Sequence, residues 1–173
     1  MQLIIQLFII SLLILIFYQD YKYRAVSWIL FPILTIVFLI LNLFNHSVLE
    51  IVNNTAVNLF FLLFLFAMIT VYFSIKNRRI VNLSNGFIGW GDILFILCLG
   101  ILFSPLNFIA FYLISLFMII IGVLFTKWLF KSNSDQIPLA GLQAMMLLIL
   151  FIINLIHPFT NFSTDEWIIN ALL

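Results

Sequence analysis

Residues 87–130 read FIGWGDILFILCLGILFSPLNFIAFYLISLFMIIIGVLFTKWLF, a run interrupted by only two charged residues, Asp92 and Lys127. Crossing a bilayer core takes about 20 mostly apolar residues as helix, so this run is long enough for two crossings. Ser104-Pro105 divides it, because serine before a helix and proline in its first turn form a start signal. The same reading applied outward gives six apolar helices, at about 2–19, 27–44, 55–75, 87–104, 105–130 and 137–157. Polar segments separate them at 20–24, 45–54, 76–86 and 131–136. The expected fold is therefore an all-α polytopic membrane protein, a single six-helix domain over 1–173.

Composition agrees. Hydrophobic residues make up 66% of the 173 residues and charged residues 8%, against about 45–50% and about 25% in soluble domains. A water-soluble surface cannot be built from so few polar side chains. A net charge of +1 provides no basic face, so no nucleic-acid partner is expected, and the bilayer is the expected surroundings. The lone cysteine, Cys98, excludes an internal disulfide and a CxxC metal site and reads as an apolar filler. No metal and no cofactor is expected.

The cations decide the orientation. Lys22 and Arg24 follow the first helix, Lys76, Arg78 and Arg79 the third, and Lys127 and Lys131 close the fifth. All seven fall on alternate turns, which the positive-inside rule makes cytoplasmic, with both termini outside. No Lys or Arg precedes the first apolar run, so it is read as a retained helix and not as a signal peptide. The expected location is the cell inner (cytoplasmic) membrane.

Of the six acidic residues, Glu50, Asp135, Asp165 and Glu166 lie in loops or the tail. Asp20 and Asp92 differ: Asp20 ends the first helix, and Asp92 sits inside the start of the fourth. An aspartate at the centre of a membrane helix costs about 2.5–3.5 kcal/mol, less towards the interface, and such residues usually face a polar cavity. The charge topology brings both to one depth on one side. Two carboxyl groups at such a site share a proton and titrate as a pair. One can deprotonate a water while the other polarises a carbonyl, which is aspartyl-protease chemistry. Either aspartate fits either role. Three glycines, Gly86, Gly89 and Gly91, fall in the eight residues before and including Asp92. They permit a non-helical lead into the helix and a close approach of substrate backbone.

Gly89-Trp90-Gly91-Asp92 is a GxGD motif. It resembles that of the GxGD intramembrane aspartyl proteases, and among them the type IV prepilin peptidases. The first aspartate with its basic turn, Asp20-Tyr21-Lys22-Tyr23-Arg24, and Ile137-Pro138-Leu139-Ala140-Gly141 at the sixth helix are similar to that family's other two motifs. The resemblance implies catalytic Asp20 and Asp92, supported by Gly89, Gly91, Lys22, Arg24 and Pro138. It implies an aspartic-type endopeptidase that cuts the basic leader from prepilin or pseudopilin-like membrane substrates of type IV pilus and protein-secretion systems, at the cytoplasmic face. Departures occur at Ala25-Val26-Ser27, at Leu94 and in the missing second proline of the last motif, and they leave both aspartates in place. Without a cysteine-bearing insert, zinc and methyltransferase activity are not expected. Two other readings compete with the peptidase: a small proton-coupled transporter carrying protons on Asp20 and Asp92, and a non-catalytic membrane subunit of a secretion complex.

Overall fold

The computed structural model describes residues 1–78, 89–130, 138–156, 162 and 164–165. Arg79, Asn85, Gly86, Lys131, Asp135, Ile137, His157 and Glu166 lie outside the described residues. Among those described there are six helices and no strand: α1 Gln2–Tyr23, α2 Leu30–Leu43, α3 Val48–Asn77, α4 Trp90–Leu102, α5 Pro105–Phe130 and α6 Leu139–Ile156. Four of them, α1, α3, α5 and α6, are long and apolar enough to cross a membrane. This is the pattern of a multi-pass membrane protein.

The helix boundaries that differ most from the sequence expectation are those of α1, α2, α3 and α4. Helix α1 continues to Tyr23 and ends at Arg24, whose left-handed backbone (φ 54°) returns its N–H to the Asp20 carbonyl. Asp20 thus lies a turn inside the helix and not at its end. Stacking of Phe17 on Tyr21 and a Lys22–Tyr18 hydrogen bond, both at i,i+4, support the extra turn. Helix α3 begins at Val48, two turns earlier than expected. A capping box starts it: the Glu50 N–H donates to Ser47 Oγ, and the Ser47 N–H donates to Glu50 Oε2. Helices α2 and α4 have 14 and 13 residues, shorter than the expected runs. At 1.5 Å per residue α4 spans about 20 Å, well short of a hydrocarbon core about 30 Å thick.

The short α4 is feasible because protein groups close its far end. The last carbonyls of a helix have no partner within it. Here the Asn42 side chain of α2 donates to Ile101 O (2.7 Å) and Leu102 O (3.3 Å), and that of Asn58 of α3 to Gly100 O (2.9 Å) and Phe103 O (2.8 Å). Both asparagines are buried. Immediately beyond, Ser104 and Pro105 open α5 as expected, and the tail adds a cap that the sequence did not signal. The Asp165 carboxylate accepts from the Ser104 hydroxyl and from the N–H groups of Leu106 and Asn107, while Asn107 Nδ2 donates to Thr164 O. A carboxylate on a helix N-terminus is favourable.

The core is apolar stripe against apolar stripe. Helix α1 buries Ile9, Leu13, Ile16 and then Asp20, at spacings of four, three and four. Helix α6 buries Ala140, Ala144, Leu147 and Phe151 with the same spacing. These two helices make the most extensive contact in the structure, and α6 also touches α4 and α5. The small residues Ala140, Gly141 and Ala144 let the start of α6 approach closely. Asn58, early in α3, meets the end of α4, so those helices are antiparallel, whereas Asn42 makes α2 parallel to α4. One end of the bundle therefore collects the C-termini of α1 and α3 and the N-termini of α2, α4 and α6. Exposed Lys22, Arg24, Lys76 and Arg78 lie at this end, and Glu50 and Asp165 at the other.

Replacing Asn58 with leucine is expected to lower stability by roughly 1–3 kcal/mol, because two buried carbonyls lose their donor. Thermal unfolding in detergent reads this out. Asn53→Leu, at an exposed position of the same helix, is expected to change stability little.

Candidate active site

Asp20 is the continuation of a core stripe into a polar residue, and at 7% exposure it is itself buried. It sits near the C-terminus of its own helix, where the macrodipole disfavours negative charge. Compensation comes from α6. The Gly141 N–H donates to Asp20 Oδ2 at 2.6 Å. Arg24 is near enough for its positive charge to act on Asp20.

Asp92 occupies the first turn of α4, where its carboxylate has the positive end of its own helix behind it. A second helix end faces it, because the Ala140 N–H donates to Asp92 Oδ1 at 2.8 Å. The Asp92 N–H returns to Gly89 O at 3.1 Å. Asp92 is half-buried, more open than Asp20.

The two carboxyl groups are thus bound by consecutive N–H groups in the first turn of α6. The first amides of a helix lack internal partners and form an anion site. Pro138, just before the helix, accepts the Leu142 N–H at 3.1 Å, which closes the first turn and leaves the amides of Ala140 and Gly141 directed at the aspartates. The backbone path between the two nitrogens is only about 4 Å, so the two bound oxygens lie within about 10 Å of each other. The groups are close enough to interact electrostatically. One oxygen of each carboxyl, Asp20 Oδ2 and Asp92 Oδ1, is committed to the α6 backbone, and the Asp92 carboxyl also takes a backbone hydrogen bond from Gly89 at the start of its own helix.

The glycines divide by role. A Cβ on Gly141 would stand 2.9 Å from Asp20 Cβ and 3.0 Å from its Oδ2, so only glycine lets α1 and α6 meet here. Gly89 precedes α4 in extended conformation, and a Cβ there would lie 3.0 Å from Asp92 Oδ2. At Gly91 the nearest atom would be Phe31 Cζ at 3.9 Å, so that position has room for a side chain.

The other expected site residues are placed differently. Lys22 is exposed and turned to aromatic rings, with Nζ 2.8 Å from the Tyr18 hydroxyl and 5.1 Å from the ring centroids of Tyr18 and Tyr23. Its amine is engaged by these rings, and Tyr21, Trp28 and Trp90, all exposed, lie at the same end of the bundle. Arg24 caps α1. Sequence reasoning missed the amides of Ala140 and Gly141 as the groups that hold the pair. The signal was two small residues in the turn after a proline at a helix start, where free N–H groups and close packing coincide. Cys98 is buried as expected but also hydrogen-bonded, donating to Phe31 O at 3.4 Å and accepting from the Thr35 hydroxyl at 3.2 Å.

Compared with family models, curated proteins and solved structures, the chain matches none.

Gly141→Ala is expected to destabilise the protein by about 1–3 kcal/mol, since the position of Asp20 Cβ is fixed by the α1 backbone and no rotamer change moves it aside. Gly122→Ala, where a Cβ meets nothing within 4 Å, is expected to be neutral or to stabilise by up to about 1 kcal/mol. Thermal melts of both variants in one detergent would contradict this if the order reversed.

Proposed function

We propose that the chain is a membrane-embedded aspartyl endopeptidase of the type IV prepilin peptidase kind. It would trim a short leader from prepilin-like membrane substrates. The observation that carries the reading is the pair of carboxyl groups, Asp20 and Asp92, held side by side by successive N–H groups of α6. The Asp20 carboxyl takes one backbone hydrogen bond, from Gly141, and the Asp92 carboxyl takes them from Ala140 and Gly89, so two acidic groups are held close together, which two-carboxylate hydrolysis needs.

With one proton on the pair, the ionised carboxyl takes a proton from water as the water oxygen attacks the substrate carbonyl. The protonated carboxyl hydrogen-bonds to that carbonyl as negative charge develops on it. Collapse of the tetrahedral intermediate breaks the C–N bond. The departing amine takes a proton from the pair, and the products are a carboxylic acid and an amine. The helix termini of α6 and α4 stabilise the pair's negative charge throughout. Asp20 and Asp92 can each begin as the base.

The proposal includes the membrane frame: six crossings, both termini outside, and the pair at the cytoplasmic face of the inner membrane. All seven Lys and Arg fall on alternate turns, and the four whose exposure is described sit at the same end as the pair. The short α2 and α4 cross within this frame by packing against longer neighbours.

Asp20→Asn and Asp92→Asn are each expected to abolish cleavage of a prepilin-like peptide by the purified protein, without additivity in the double variant. Both should fold, because the amide oxygen still accepts the N–H of Gly141 or Ala140. Asp135→Asn is the control and should cleave normally. The pH profile is expected to be bell-shaped, reporting the pair. An asparagine variant that cleaves at near wild-type rate would overturn the reading.

The frame has a separate test. With Cys98 replaced, a single cysteine at position 50 is expected to react with an impermeant thiol reagent in intact cells. A cysteine at position 77 should react only after lysis. The opposite pattern would invert the frame and place the pair outside.

A further inference from the structure

Hydrolysis at the pair requires the substrate in extended form. A helix hides its carbonyls in hydrogen bonds to the residue four further on, so a substrate cut where its apolar helix begins must unwind there. The freed N–H and C=O groups then lie at membrane depth, where no water satisfies them and the protein must. The amides of Ala140 and Gly141 are already committed to the aspartates.

The next polar group along α6 is Gln143, within a turn of both, and no exposed surface remains to it. Its Oε1 has no hydrogen-bond partner among the described residues. Its Nε2 makes one loose contact, 3.5 Å to Ser115 Oγ of α5, at the outer limit of a hydrogen bond. Ser115 is itself buried and directs its hydroxyl to Tyr112 O. A buried acceptor left unpaired carries a free-energy cost that an apolar side chain of the same shape would avoid.

We infer that Gln143 is a substrate-positioning residue, its Oε1 accepting a backbone N–H of the unwound segment on the membrane side of the scissile bond. The inference rests on the peptidase reading above and adds to it where the substrate backbone is held. An acceptor selects a donor, and the extended backbone of an apolar segment carries donors only as main-chain N–H. Recognition at this point is therefore independent of side chains. Because α5 covers Gln143, the Ser115 contact must part as substrate enters, and its length makes that parting cheap. The same movement opens α6 within a turn of the carboxyl pair, so the segment bound at Gln143 lies next to the reacting bond.

The test uses the full chain in detergent with synthetic single-span peptides, in which one backbone N–H at a time is replaced by an ester oxygen over the first four residues on the membrane side. Cleavage gives kcat and KM. Binding is measured in parallel on the Asp92→Asn protein. One ester position is expected to reduce kcat/KM about five- to a hundredfold, mainly through KM, with a matching loss of binding. Gln143→Met is expected to lose the same factor on the all-amide peptide, to be indifferent to that ester, and to unfold no more easily than wild type. Ester and Gln143→Met effects that multiply independently would overturn the inference, as would an ester scan without any loss. A Gln143→Met defect that is equal for every peptide and confined to kcat would also overturn it, because a purely structural role predicts that result. Should Gln143→Met fail to fold, the ester scan on the wild-type chain decides alone. If wild type binds with ester sensitivity but cuts nothing, the peptidase reading fails while the binding role of Gln143 stands. Cleavage without ester sensitivity gives the converse.

Discussion

Two acidic groups on separate helices are held by one turn of a third. Everything at the charged end of the bundle depends on that grip, because neither Asp20 nor Asp92 belongs in an apolar environment unaided. Asp20 is worse placed, at the negative end of α1 and buried beside Ile16. Asp92 begins with the positive end of α4 behind it. The amides of Gly141 and Ala140 supply a hydrogen bond to each, and a bond to an ionised carboxyl is of a stronger class than a neutral one. They also bring the groups together, since consecutive amides in a helix are separated by a single residue of backbone.

The geometry has a steric condition. For the Gly141 N–H to reach Asp20, α6 must lie almost against α1, and the contact admits no Cβ at Gly141. The facing stripes Ile9-Leu13-Ile16 and Ala144-Leu147-Phe151 set the crossing of the two helices, and Ala140 and Gly141 set its closest point. Packing in the middle of the bundle thus brings two acidic groups together at its end.

At the far end, Asn42 and Asn58 perform a similar service for α4. Because they take up its last carbonyls inside the protein, α4 can stop after 13 residues. Asp165 and Asn107 then tie the tail to the start of α5, the very next element. Asp165 therefore has a structural role that an acidic tail residue does not advertise. The registry of α4 fixed by these side chains also determines how far Asp92 projects at the opposite end.

The number of helices, the break at Ser104-Pro105, the grouping of cations and the singularity of Asp20 and Asp92 were all legible in the amino-acid sequence. Each depends on local polarity or on spacing along one segment, and the bilayer converts those directly into structure. Helix ends were less legible where apolarity and helicity diverge. Tyr21 to Tyr23 are polar but helical, and the Ser47–Glu50 capping box starts α3 within a segment that reads as loop. What only the tertiary structure decided is which groups meet. Ala140, Gly141 and Gln143 look alike in sequence, as small or polar residues in an apolar helix. Their roles follow from facing Asp92, Asp20 and Ser115, residues 48, 121 and 28 positions away. A backbone N–H has no residue type to betray it. It becomes a functional group only when packing leaves it unpaired and points it at a partner.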